Sequence, residues 1–250
     1  MGFYDRDYYR EPRRSSHVGT LNMWTVTTWL IVINVAIFVL DQVLAHYGVI
    51  YQLVLPNRLV IRDRPLTGLG YFSLYMVMGR LEVWRFLTFQ FLHANFTHLL
   101  FNMFALFMFG PLVESYFGRG KYLAFYLLCG IGGPLAYVAF LLSGFLIGSW
   151  LAPLVGASAG IFGVLIAAAQ IAPDSTVLIY GAIPVKLRTF AWILLAIAAY
   201  TVLQYGSTGA NNAGGQAAHL GGAAVGYLLV HNSHWLRLPR FNFLRRRPPF

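Results

Sequence analysis

The sequence predicts an all-α membrane protein: a bundle of six transmembrane helices with a long first outer loop partly embedded in the membrane. Three observations carry this. Of 250 residues, 58% are hydrophobic and 10% charged, and mean hydropathy is +0.62, outside the mix of soluble domains. Apolar runs near or above the ~20 residues needed to cross a bilayer recur along the chain. Lys and Arg gather at the two ends and in short connections that flank those runs.

Read by apolar length and by breaks at Gly, Pro and charge, the spans fall at about 24–46, 94–113, 121–142, 156–172, 188–205 and 214–231. The segment 1–23 contains "RDYYREPRRSSH", which is basic but leads into a long span without a small-residue cleavage site, so the first helix is expected to stay. Basic residues also occur at Arg119, Lys121, Lys186 and Arg188 and throughout the tail 232–250, whereas the connections 143–155 and 206–213 have none. That asymmetry predicts both termini in the cytoplasm and the odd connections on the outer side of the membrane. The expected organisation is a cytoplasmic segment 1–23, an intramembrane domain 24–231 and a basic cytoplasmic tail 232–250. The formal charge of +10 reads as orientation signals that meet membrane lipid, so no nucleic-acid partner is expected. The loop 47–92 departs from this rule, with Arg58, Arg62, Arg64, Arg80 and Arg85 on the outer side. Its middle, "LGYFSLYMVMG", is apolar but too short to span, and is expected to lie in the outer interface or to re-enter. Cys129 is the single cysteine, so no intramolecular disulfide forms.

Polar groups within hydrocarbon are costly, which makes the few present informative. His93, His98 and Asn102 lie at the start of the second span, Ser158 at the start of the fourth and His219 a turn or two into the sixth. All three spans start on the outer side, so these residues share one shallow depth. His98 and Asn102, four apart, share a helix face. Gly156, Gly160, Gly163, Gly222 and Gly226 let the fourth and sixth spans approach closely, bringing Ser158 toward His219. A serine near a helix N-terminus beside an imidazole, with two further donors, is the inventory of acyl transfer. Asp41 and Glu114 are the visible carboxylates in the spans and lie near their ends, which predicts a dyad without an acidic third member, and no metal or cofactor.

Three stretches in this order, "WRFLTFQFLHANFTHLLFN", "GASAG" and "GGQAAHLGGAAVG", resemble those of the rhomboid intramembrane serine proteases in their minimal six-helix form. The resemblance covers roughly residues 24–231 and, as that form is common in bacteria, implies a bacterial inner membrane. It implies Ser158 as nucleophile, His219 as general base, and His98 and Asn102 as oxyanion-hole donors beside the Ser158 backbone N–H. Gly156 would belong to the same turn, Phe162 would stack on the base, and Gly222 would support the last catalytic helix. Trp84 and Arg85 resemble a structural loop motif, and Glu114 a position that ties a loop to the bundle. The implied activity is hydrolysis of peptide bonds in or beside transmembrane segments of membrane-protein substrates, with His93, Asn95, Thr97 and His98 lining a water route. Three readings compete with this one. Ser158 could be a small packing residue and His98 and Asn102 interhelical glue, as in a non-catalytic helix binder. A transporter is the third, against which stands the confinement of polar groups to one half of the bundle.

Overall fold

The computed structural model describes residues 24–56, 58, 60–148, 150–179, 181–210 and 212–236; the expected segment 1–23 and most of the expected tail lie outside the described residues. Helix α1 (Val26–His46) begins at Thr25, whose side chain accepts from the Thr28 N–H. Its first N–H groups have no acceptor within the helix. A carboxylate from elsewhere supplies one: Glu114 accepts from Val26 N at 2.8 Å, Thr27 N at 2.9 Å and Thr27 Oγ1 at 2.8 Å.

The loop that follows is folded throughout its described length. Strands β1 (Tyr51–Val54) and β2 (Val60–Asp63) form an antiparallel hairpin in the register Tyr51↔Asp63. Helix α2 (Pro65–Gly70), a π-helical turn (Tyr75–Gly79), helix α3 (Arg85–Thr88) and a 3₁₀ turn (Phe89–Phe91) lead to the second long helix. Within "LGYFSLYMVMG", Tyr71, Phe72, Ser73, Leu74, Met76 and Val77 are buried against the rest of the chain. Three of the loop's arginines, Arg64, Arg80 and Arg85, are held by partners. Arg85, 1% exposed, pairs with Glu82 at 2.5 Å and donates to the carbonyls of Gly68 at 3.0 Å and Tyr71 at 2.7 Å. Arg64 lies 3.6 Å from Asp41 and donates to the His93 carbonyl at 2.8 Å. Asp41 in turn accepts from Leu66 N and Thr67 Oγ1, so α1 is pinned to the loop. Burial pushes the Glu82 carboxyl up, but hydrogen bonds from Arg80 and Arg85 outweigh it and leave its pKa below the usual value.

Five further long helices complete the chain: α4 (Phe96–Phe117), α5 (Arg119–Leu142), α6 (Ser158–Ile171), α7 (Leu187–Tyr205) and α8 (Ala213–His231). A second hairpin, β3 (Thr176–Ile179) with β4 (Ile183–Lys186), joins α6 to α7. Four of the helices, α1, α4, α5 and α7, are long and apolar enough to cross a membrane. The second span ends at Phe117, a few residues past its expected end near 113, and stops at Gly118, whose φ is 76°. Glu114 therefore stands on the last turn of α4 and ties it to α1, rather than tying a loop to the bundle.

Helix α6 is the centre of the molecule, packed on α4, α5, α7 and α8, with Ala159, Gly160, Ile161 and all of Gly163–Ala169 buried. Its 14 residues span only ~21 Å at 1.5 Å per residue, against ~30 Å for a hydrocarbon core. Glycine seams bring its neighbours close. A Cβ on Gly222 would strike the Ala159 carbonyl, and one on Gly226 would strike the Gly163 backbone.

Candidate active site

Ser158 is the first residue of α6, His98 the third of α4 and His219 the seventh of α8. The three helix starts converge on one cavity of ≈ 540 Å³, lined among others by His98, Asn102, Gly156, Ser158, Phe162 and His219. Ser158 Oγ lies 2.8 Å from His219 Nε2. The ring of Phe162, one turn along α6, stacks on the imidazole with centroids 4.3 Å apart and planes 10° from parallel, fixing its tilt.

The other ring nitrogen has a partner that the sequence reading did not single out. Gln216 Oε1 lies 3.0 Å from His219 Nδ1. With that oxygen accepting, Nδ1 carries the proton and Nε2 is left as a free base facing the serine. Gln216 is three residues ahead of His219 on the same helix, which is the spacing that would have found it. It is the one polar side chain in a turn otherwise built of Ala and Gly.

Gly156 makes the approach possible twice over. Its φ is 130°, a conformation that side chains disfavour, and a Cβ there would lie 2.7 Å from His98 Cε1 and 2.8 Å from its Nε2. The chain therefore turns into α6 against the His98 ring. Asn95 caps α4 by accepting from the His98 N–H at 2.9 Å and also lines the cavity. Asn102, one turn further along, is buried, and its Nδ2 donors have no partner. Together with the first-turn N–H groups of α6, which lack intrahelical acceptors, these donors face the space beside the Ser158 hydroxyl.

His93 stands behind this arrangement. It is 2% exposed and meets the His98 ring edge-on at 5.1 Å, while both its ring nitrogens lack partners. Burial first, then the nearby His98 and Arg64, pushes its pKa down to about 3, so it stays neutral. Of the residues expected along a water route, Asn95 and His98 line the cavity, His93 backs it and Thr97 is exposed. Gly222 acts at a distance from the chemistry, letting α8 close on Ala159. The sequence-predicted residues Ser158, His219, His98, Asn102, Gly156 and Phe162 thus meet at one place.

A family model for the rhomboid domain matches residues 80–234. The chain is 30% identical over 222 residues to the rhomboid protease AarA of Providencia stuartii, covering 84% of this chain and 73% of that one. It is 42% identical over 84 residues to the rhomboid protease GluP of Bacillus subtilis, covering 34% of this chain and 15% of GluP. Against RHOMBOID-like protein 1 of Arabidopsis thaliana the identity is 29% over 196 residues, 75% of this chain and 45% of the relative. The chain therefore spans less than half the length of two of these three relatives.

Proposed function

The chain belongs to the rhomboid family of integral membrane proteins, and we propose that it is a serine endopeptidase that cuts peptide bonds in or beside transmembrane helices by a Ser158–His219 dyad. The observation that carries this reading is the 2.8 Å contact between Ser158 Oγ and His219 Nε2, in a cavity that also holds unpartnered donors.

In the proposed reaction, His219 Nε2 takes the hydroxyl proton as Ser158 Oγ attacks the carbonyl carbon of the scissile bond. Negative charge then develops on the carbonyl oxygen. The Ser158 backbone N–H, Asn102 Nδ2 and the His98 ring are the donors assigned to it. Collapse of the tetrahedral intermediate breaks the C–N bond, and the imidazolium returns its proton to the leaving amine. A water molecule then repeats the sequence on the acyl-enzyme, with His219 accepting its proton, and frees the serine. Gln216 holds Nδ1–H throughout and so positions the base. No step calls for a metal or cofactor.

The proposed substrates are membrane proteins with a transmembrane segment that unwinds locally, since a helical peptide bond is sterically shielded and hydrogen-bonded. The same proposal takes residues 24–231 as the protease domain, with six spans in a bacterial inner membrane. It places both termini in the cytoplasm and the cavity toward the outer face; the distribution of Lys and Arg supports this orientation. Its test is cleavage of a single-span substrate in lipid by purified protein. Ser158→Ala and His219→Ala are each expected to abolish turnover, a loss on the order of 10⁴-fold or more, while unfolding temperature stays the same. Turnover retained by either folded variant rejects the dyad.

A further inference from the structure

A second cavity, ≈ 420 Å³, opens at the other end of the bundle between α6, α7 and α8. Its floor is made by small residues that leave a channel between the helices: Ala169 of α6, Ala191 of α7, and Ala223 and Ala224 of α8. Its two ends differ. At one end stands Arg188, the second residue of α7, with Lys186 just before the helix and Gln170 and Tyr227 alongside. At the other are Leu195 and Leu220, seven residues from Arg188 on α7 and seven from Tyr227 on the antiparallel α8, or about 10 Å along the helices. Leu220 directly follows His219, so the deep end lies under the helix that carries the proposed base.

We propose that this groove holds one acyl chain of an anionic phospholipid, with its head group on Arg188. A groove that is cationic at the helix end and apolar with depth matches an amphiphile lying along the helix axis. The groove runs about 10 Å along the helices, and its apolar lining gives hydrocarbon a place to lie beneath a head group at Arg188. Asp174 sits 2.8 Å from Lys186 and 3.9 Å from Arg188, and offsets one of the two cations. The mouth keeps a net positive charge. Arg188 retains donors for a phosphate, and a basic side chain at an anionic membrane surface is worth about fivefold in affinity.

The test reads lipid rather than proteolysis, so its outcome is independent of the proposed activity. The full chain is reconstituted in vesicles of equal parts phosphatidylglycerol and phosphatidylcholine with matched acyl chains, and the lipids retained on gentle extraction are identified by native mass spectrometry. The wild type is expected to retain phosphatidylglycerol about fivefold over phosphatidylcholine. Arg188→Gln, an exposed substitution, should bring the ratio to parity. Ala224→Phe, which fills the channel from its exposed side, should lose retained lipid of both kinds with helical content unchanged. Parity in the wild type, preference kept in Arg188→Gln, or lipid kept in Ala224→Phe would overturn the assignment.

Discussion

Two buried polar regions of this molecule obey opposite rules. In the first outer loop and its anchors, charge is paired: Arg85 with Glu82 and two carbonyls, Arg64 with Asp41, and Glu114 with the start of α1. In the cavity at the tops of α4, α6 and α8, by contrast, the Asn102 amide donors are left without partners and the His219–Ser158 pair opens onto space. A buried polar group without a partner costs free energy, which a fold tolerates where a ligand will supply the missing bond. The paired region holds the molecule together. On the proposed reading the unpaired one receives the substrate, and substitutions should separate the two by readout.

The largest effect is expected from the paired side. Arg85→Met leaves two buried carbonyls without their donor and Glu82 with Arg80 alone, and should lower stability by about 3–5 kcal/mol in thermal unfolding, with activity per folded molecule retained. On the unpaired side, Asn102→Ala should leave unfolding unchanged and slow kcat about a hundredfold. A stability loss with normal kcat would make Asn102 interhelical glue and erase the contrast. Gln216→Leu should slow turnover about tenfold by freeing the Nδ1 proton, whereas Gln216→Glu keeps the acceptor and should retain activity. Equal loss in both would reduce Gln216 to packing.

His93 lies between the two regions and gives the smallest, pH-dependent effect. Its pKa falls from 6.5 to about 3 in the folded chain, so the unfolded chain takes up a proton first as pH drops. The stability tied to its neutral form is fully present above pH 6.5, so nothing is lost at neutral pH, and it declines as pH falls from 6.5 toward 3. Replacing it in His93→Gln should flatten that part of the unfolding profile.

The sequence made the unpaired region readable and left the paired one largely hidden. Ser158, His219, His98 and Asn102 stand out because a polar residue in an apolar span has no inexpensive explanation, and helix direction alone sets their common depth. Phe162 and Gly156 follow from spacing along one helix. The partners of Arg85, Arg64 and Glu114 come from distant segments, and no periodicity encodes such contacts. Of the five arginines in that loop, Arg64, Arg80 and Arg85 are engaged by carboxylates, while Arg58 and Arg62 are exposed. The hairpins β1–β2 and β3–β4 are four-residue strands between turns, too short for alternation to distinguish them from connections.

The claim on which this account depends is that Ser158 is made nucleophilic by His219, and active-site labelling tests it most directly. Protein treated with a fluorophosphonate is digested and the adduct mapped by mass spectrometry, in the wild type and in His219→Ala. The account predicts an adduct on Ser158 that disappears when the imidazole is removed. An adduct on a different residue, or one on Ser158 that forms as fast without His219, would contradict it.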